Sequence, residues 1–174
     1  IPISKPMVRL LRKSRSFWRI LGEHLVSCHV IRVPITFPPE PLPNGALLAA
    51  MCVPDLRGTQ GSFTFFTSDK ERAEAFEGGT ILHVEPRNDV VENEIPGPPD
   101  PLSREHNVMA LPLRVEIDRA GRKAKLTVGK ETIDLPEKTF SDWVPLQFKA
   151  SLGQKVKGIV RFRIMEIEPH FNLY

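Results

Sequence analysis

Cysteine is scarce in this 174-residue sequence: Cys28 and Cys52 are the only two, each in an apolar neighbourhood. There is no CxxC pair and no dense spacing pattern. That excludes a disulfide scaffold and leaves two thiols that read as buried and free. Neither has an evident base partner in sequence, so a thiol nucleophile is not expected. Long apolar runs are also missing, and nothing approaches the roughly 20 residues that a membrane helix needs. Lys5 and Arg9 break up the first apolar residues, so no signal peptide is expected. The chain starts at Ile1 and stops at Tyr174 on a hydrophobic run, and both ends read as cut from something longer. The bland alternative is a processed N-terminus and a docked C-terminal strand.

Chemical motifs are equally sparse. The sequence has no GxSxG elbow, no GxxxxGK[ST] phosphate loop and no GxGxxG fingerprint. Its five histidines are scattered, and none stands at ligand spacing from another His, a Cys or a carboxylate. His24, His29 and His83 therefore read as core or partly buried side chains. Glu166, Glu168 and His170 alternate along one predicted strand, which fits either half of a metal site or a polar sheet face.

Proline, in contrast, is abundant: 17 residues argue for turns and edges and against long helices. The apolar fraction of 41% and charged fraction of 26% are ordinary for a globular chain. Net charge is only +3, but it is unevenly placed. Lys5, Arg9, Arg12, Lys13, Arg15, Arg19 and Arg32 face Glu23 alone in the first 32 residues. Such a run attracts phosphate, nucleic acid or an acidic surface, or is simply a solvated helix face.

Residues 14–25, SRSFWRILGEHL, read as a helix capped by Ser14 or Ser16, with Phe17, Leu21 and Leu25 stacked on one face. VSCHVIRV (26–33) is β-branched and nearly continuous, as in a parallel strand buried on both faces. A stiff proline-rich connection (34–45) and a short apolar run (46–53) follow, then a strand at 63–66 and a short helix capped by Ser68 in DKERAEAF. After Gly78-Gly79 the pattern turns to β. TILHVEP (80–86) and VVENEI (90–95) read as paired strands, and PGPPDPL (96–102) as a loop. Alternation over 111–117, 124–128 and 144–148 marks further strands, with a turn at Asp118–Gly121 and a two-residue hairpin loop at Gly129-Lys130. The longest predicted strand runs from Val156 to Ile167, with Val160, Phe162 and Ile164 on one face and Arg161, Arg163 and Met165 on the other. The expected fold is thus α+β and mainly β. Residues 1–77 form a small partial α/β segment, and residues 78–174 an antiparallel β-sandwich or curled, barrel-like sheet.

PDLRGTQGSFTFF (54–66) is the stretch that most invites a chemical reading. Arg57 can clamp a phosphate or carboxylate, and Gly58 and Gly61 let backbone amides turn toward an anion. No helix N-terminus follows to strengthen such a cradle, so a structural corner with Arg57 paired to Asp55 is an equal reading.

KSRSFWRILGEH, VIRVPITFPPE, VPDLRGTQGSFTFFT, EIPGPPDPL, FSDWVPLQF and IVRFRIMEIEPHFNLY occur here in this order. Together they resemble an internal section of bacterial type I phosphodiesterase/nucleotide pyrophosphatase-like proteins of the alkaline phosphatase superfamily. The resemblance spans nearly the whole chain, with PDLRGT and EPHFNLY its most specific parts. It implies a parent hydrolase with a Ser or Thr nucleophile and Asp/His clusters holding two divalent metal ions, expected to be zinc. Those motifs lie outside a segment like this one, so no nucleophile or metal ligand carries over. What the resemblance implies is a noncatalytic segment. Residues 1–67 would join the α/β core, and an inserted β domain would shape or cap the active site. Asp55, Arg57 and Thr59 are the expected substrate-binding residues: Arg57 meets the anion, Thr59 hydrogen-bonds it and Asp55 orients Arg57. The expected partners are the remainder of the parent hydrolase and a phosphoester. The alternative is a free-standing β-sandwich binding module using Phe140, Trp143 and the proline-rich loops, although Trp143 is expected to be packed. Nucleic acid is not expected, because Phe162 points away from Arg161 and Arg163.

Overall fold

The computed structural model describes residues 9–49, 53–61, 63–71, 79–100, 103, 107–150 and 153–174. The chain divides into two compact units, Ile1–Gln60 and Gly61–Tyr174. Cys52 and most of the helix predicted after Ser68 lie outside the described residues.

In the first unit, helix α1 (Phe17–Glu23) is shorter than the predicted span. Leu25 takes a left-handed φ of 61° and stops it. Ser16 stands at the N-cap in an extended conformation, but its hydroxyl makes no capping bond. It bonds Glu40 instead, at 2.5 Å. The buried face of α1 carries Trp18 and Gly22, while Phe17 and Leu25 are exposed, so the predicted Phe17–Leu21–Leu25 stripe is not the packed one. Strands β1 (Cys28–Ile31) and β2 (Gly45–Leu48) pair in parallel, with Cys28 opposite Gly45 and Ile31 opposite Leu48. A side chain at Gly45 is impossible: its φ is +135° and a Cβ would lie 1.8 Å from the Cys28 carbonyl oxygen. β1 is parallel as expected but is not buried on both faces. Val30 is buried and Ile31 is 67% exposed. His24 and His29 are likewise exposed rather than core residues.

The second unit is mainly β. Strands β3 (Thr64–Thr67) and β4 (Thr80–His83) are parallel neighbours, whereas β5 (Val90–Pro99), β6 (Val108–Asp118), β7 (Lys123–Val128) and β8 (Glu131–Pro136) form an open antiparallel meander. Strands β9 (Val144–Lys149) and β10 (Lys155–Val160) form an antiparallel ribbon. Short strands β11 (Ile164–Glu166) and β12 (Asn172–Leu173) join β3 and β4 in the order β11-β12-β3-β4. A division near residue 78 would part β3 from β4, which pair in register from Thr64–Thr80 to Thr67–His83.

Alternation explains the meander. On β6, Met109, Leu113, Val115 and Ile117 are buried, and Arg114 and Glu116 face solvent. The predicted turn at Asp118–Gly121 holds because the Gly121 N–H donates to Asp118 Oδ1 at 2.8 Å. Gly129, with φ +59°, opens the two-residue loop between Val128 and Glu131. Three sequence expectations are revised. The 80–86 and 90–95 stretches do not pair as a hairpin: β4 pairs with β3 and β5 with β6, leaving one isolated bridge between Arg87 and Val90. The 96–102 loop is strand as far as Pro99, tolerated because β5 is an edge strand that needs no further donors. Gly97 there lies against Phe148, whose ring would be 2.4 Å from any added Cβ. The long strand at 156–167 is interrupted at Arg161–Arg163, where β10 ends before β11 begins. One apolar cluster joins the meander to β9, Phe66 of β3 and the C-terminal Phe171 and Leu173.

Candidate functional site

The loop singled out by sequence closes on itself. Asp55 Oδ1 accepts the backbone N–H groups of Arg57 and Thr59, each at 2.9 Å, and Oδ2 accepts the Thr59 hydroxyl at 2.5 Å. The Asp55 N–H donates to the Thr59 carbonyl at 2.7 Å, and the Gly58 N–H to the Asp55 carbonyl at 3.0 Å. Gly58 and Gly61 take the positive φ values of +81° and +83° that the turn requires. The structure therefore brings Asp55, Arg57 and Thr59 together, with Asp55 holding the main chain at Arg57. The anion to which these two amides point is the loop's own carboxylate.

The other predicted polar cluster is dispersed. β11 ends at Glu166, whose carboxylate accepts a 3.3 Å bond from Asn172 Nδ2. Glu168 lies 3.7 Å from Arg119 Nη1, and His170 is exposed. Among the described residues no group of three His, Cys, Asp or Glu side chains is placed to hold a metal.

The second unit assembles after β8 a surface of which sequence reasoning named only Phe140 and Trp143, as contact residues of the alternative binding module. Phe140 and Arg163 form an antiparallel bridge, and Arg163 and Tyr174 exchange two backbone hydrogen bonds of 2.8 Å. Those pairings set three side chains abreast. The guanidinium carbons of Arg161 and Arg163 lie 4.8 and 5.1 Å from the Phe140 ring centroid, and Arg161 also lies 5.7 Å from that of Trp143. Phe140 meets Tyr174 edge-on at 6.4 Å, and Tyr174 meets Phe63 at 5.6 Å. Arg161 is oriented by a 2.8 Å bond from its Nε to the Ser141 carbonyl, while the buried Nε of Arg163 has no acceptor. Trp143 is 63% exposed, so the expectation that it packs in the core is corrected. Its neighbour Val144 takes the inward position of β9. Phe162 is buried as predicted, yet it is not the aromatic that matters. Phe140, Trp143 and Tyr174 arrive on the arginine side through contacts distant in sequence. The sequence signals were Phe140 and Trp143 themselves and the alternation that turned Arg161 and Arg163 outward.

A separate polar hollow of about 540 Å³ is lined by residues including His83, Glu85, Arg87, Glu92 and Arg114. Two of its groups have carboxylate neighbours: Arg114 bonds Glu92 and Glu116, and His83 lies 3.8 Å from Glu85. The Glu116 bond is the largest influence on Arg114 and, helped by the Glu92 bond and both carboxylate charges, raises its pKa against an opposing desolvation.

In the first unit the polar centre is Glu40. Its Oε1 accepts from Arg12, Ser16 and Trp18 Nε1, at 2.5, 2.5 and 2.9 Å. Burial pushes the Glu40 carboxyl up, but these three bonds and the Arg12 charge outweigh it and hold the pKa below its ordinary value. The cluster fastens the proline-rich connection to the start of α1. All three bonds converge on one carboxylate oxygen, Oε1.

The fold and these surfaces define a mainly β chain with several antiparallel sheets and an exposed arginine–aromatic face. No helix among the described residues is long and apolar enough to cross a membrane. Compared with protein-family models, with curated proteins and with solved structures, the chain matches none.

Proposed function

We propose that this chain is a noncatalytic segment of a metal-dependent phosphoester hydrolase, in which the first unit adds to a larger α/β core and the β unit shapes or caps the active site. The observation that carries the reading is the state of the parallel pair. Parallel strands occur almost only where both faces are covered. Here Ile31 and Leu48 are 67% and 60% exposed, beside Leu25 at 85% and Ile35 at 64%. Apolar strand and loop surface of that kind suits a piece completed by further structure. The sequence resemblance supplies the identity of that structure. Within the DLRGT loop, Arg57 is the group offered to the phosphoester, and Asp55 and Thr59 fix the backbone that carries it. The two metal ions, zinc being the expectation, and the attacking hydroxyl belong to the remainder of the parent.

Two measurements test the proposal. The purified chain, supplied with zinc, is expected to leave an aryl phosphodiester untouched; turnover that a chelator abolishes overturns the reading. The source protein, weighed intact, is expected to be longer than the 19.7 kDa chain. A native species of that mass alone would favour the second reading, a free-standing β binding module. The exposure of Trp143 and Phe140 is the specific observation on its side.

A further inference from the structure

We infer that the outer face of the β9–β10 ribbon, continued by the arginine–aromatic face, is a binding site for single-stranded nucleic acid. The inference goes beyond the hydrolase reading and does not depend on it.

On β10, Lys155, Lys157 and Ile159 point outward, and Arg161 continues the same alternation before the buried Phe162. Six residue steps of strand set a basic stripe about 20 Å long. Opposite it on β9 stand the exposed Lys149, Gln147 and Pro145, in register with Lys155, Lys157 and Ile159. Lys149 and Lys155 are thus like charges directly across a sheet, an arrangement that costs stability when nothing neutralises it. Among the described residues, neither these lysines nor Arg161 and Arg163 take part in an ion pair. The stripe is therefore complementary to a linear polyanion.

The aromatic side chains select the kind of polyanion. Binding of single strands combines a basic track for phosphates with ring faces on which bases stack. Trp143 lies beside Arg161 at the end of the stripe, 63% exposed, with Phe140 and Tyr174 at 41% and 42% beyond it. Both arginines lie over Phe140, whereas Trp143 has Arg161 alone over its ring and is 63% exposed, so Trp143 and Tyr174 are the available platforms. An acidic border limits the site. Glu131, Asp134 and Asp142 line a hollow of about 270 Å³ with Trp143, and they would repel phosphate on that side. The strand accordingly runs from Trp143 toward Lys155 and not across β8. A membrane surface fits less well, since Ile159 is the sole large aliphatic side chain pointing outward from β10.

The test uses the full 174-residue chain and a fluorescently labelled 12-mer of oligothymidylate, read by anisotropy. About four phosphate contacts, from Lys149, Lys155, Lys157 and Arg161, give a log–log salt slope of about −3 and roughly fiftyfold weaker binding at 200 mM than at 50 mM salt. Tryptophan emission is expected to fall in step with binding, because Trp143 is exposed and the second tryptophan, Trp18, is buried. Lys155→Glu with Lys157→Glu is expected to weaken binding at least tenfold and to flatten the slope. Trp143→Leu is expected to weaken it about tenfold with the slope unchanged. Lys130→Glu, at the β7–β8 turn, is expected to leave binding intact. Each variant's folded state is checked by its thermal melt. Absence of binding at 50 mM salt overturns the inference. So does binding of heparin or of phosphatidylserine vesicles without the oligonucleotide, or oligonucleotide binding indifferent to both Trp143 and the lysines. None of those failures touches the hydrolase reading, which the phosphodiester assay and the intact mass decide.

Discussion

In the Gly61–Tyr174 unit, Leu113, Val115, Leu126, Phe148, Ile164 and Leu173 are almost wholly removed from water, whereas in the Ile1–Gln60 unit Trp18 and Val30 are the only large apolar side chains buried among the described residues. Full burial of one such side chain is worth about 1.5–3 kcal/mol, so the β unit has an apolar core to fold on. The first unit leans on other means. Its Glu40 gathers Arg12, Ser16 and Trp18, and Gly45 lets two backbones come close enough to pair. Leu25, Ile31, Ile35 and Leu48 meanwhile remain at the surface. The difference teaches that a few hydrogen bonds can fix the course of a segment without giving it a core.

The sharpest way to break the contrast is Gly45→Ala. A Cβ 1.8 Å from the Cys28 carbonyl cannot be relieved by a side-chain shift. The β1–β2 amides are expected to lose hydrogen-exchange protection outright while the meander keeps its own; retained protection at Val30 would show that the parallel pair is not what orders the first unit.

Next comes Leu126→Ala in the meander. Leu126 is fully buried, and its truncation is expected to cost about 3–5 kcal/mol, read from the urea midpoint of the β unit. Leu48→Ala, at 60% exposure, is the matched control in the first unit and should stay within about 0.5 kcal/mol. Equal losses would erase the distinction between the two units.

Glu40→Ala is expected to cost about 2–3 kcal/mol, because it strands the Arg12, Ser16 and Trp18 donors at once. The loss should appear as faster proteolysis of the first unit alone.

The smallest effect is in pH. Glu40 and Glu137 both hold their protons more weakly folded than unfolded. For Glu137, burial pushes the carboxyl up, but the Ile167 N–H and the Arg122 guanidinium more than reverse it. A depressed carboxylate pKa stabilises the fold fully above the unfolded value, here 4.5, and that contribution disappears as pH falls through the folded value. Each unit is therefore expected to lose stability on acidification below 4.5. Glu40→Gln should flatten the response of the first unit and Glu137→Gln that of the second. Unchanged profiles would remove these carboxylates from the account.

Much of the β unit was legible because its code is local. Alternation at Leu113, Val115 and Ile117 requires one wet and one dry face, and Asp118–Gly121 and Gly129-Lys130 carry their turns in their own side chains and backbone preferences. Strand partners were not legible. β3 lies between β4 and the C-terminal β12, and no periodicity announces a pairing across a hundred residues, as in the 2.6 Å bond from Thr67 Oγ1 to Asn172 Oδ1. Ser16 stands at the cap by its position, but its hydroxyl donates to Glu40 and its oxygen accepts no backbone N–H of the first turn. At the DLRGT loop, Gly58 and Gly61 marked the turn. That Asp55 would take up the amides of Arg57 and Thr59 depended on how the loop closes.

The sequence by itself determined the mainly β character, the strand faces and the tight turns, since each follows from the pleat or from a residue's own backbone freedom. Only tertiary structure decided that Trp143 stays in water and that Arg161 and Arg163 enclose Phe140, with Tyr174 brought alongside. Alternation says which way a side chain points, but its neighbours on that side come from strands the chain reaches much later.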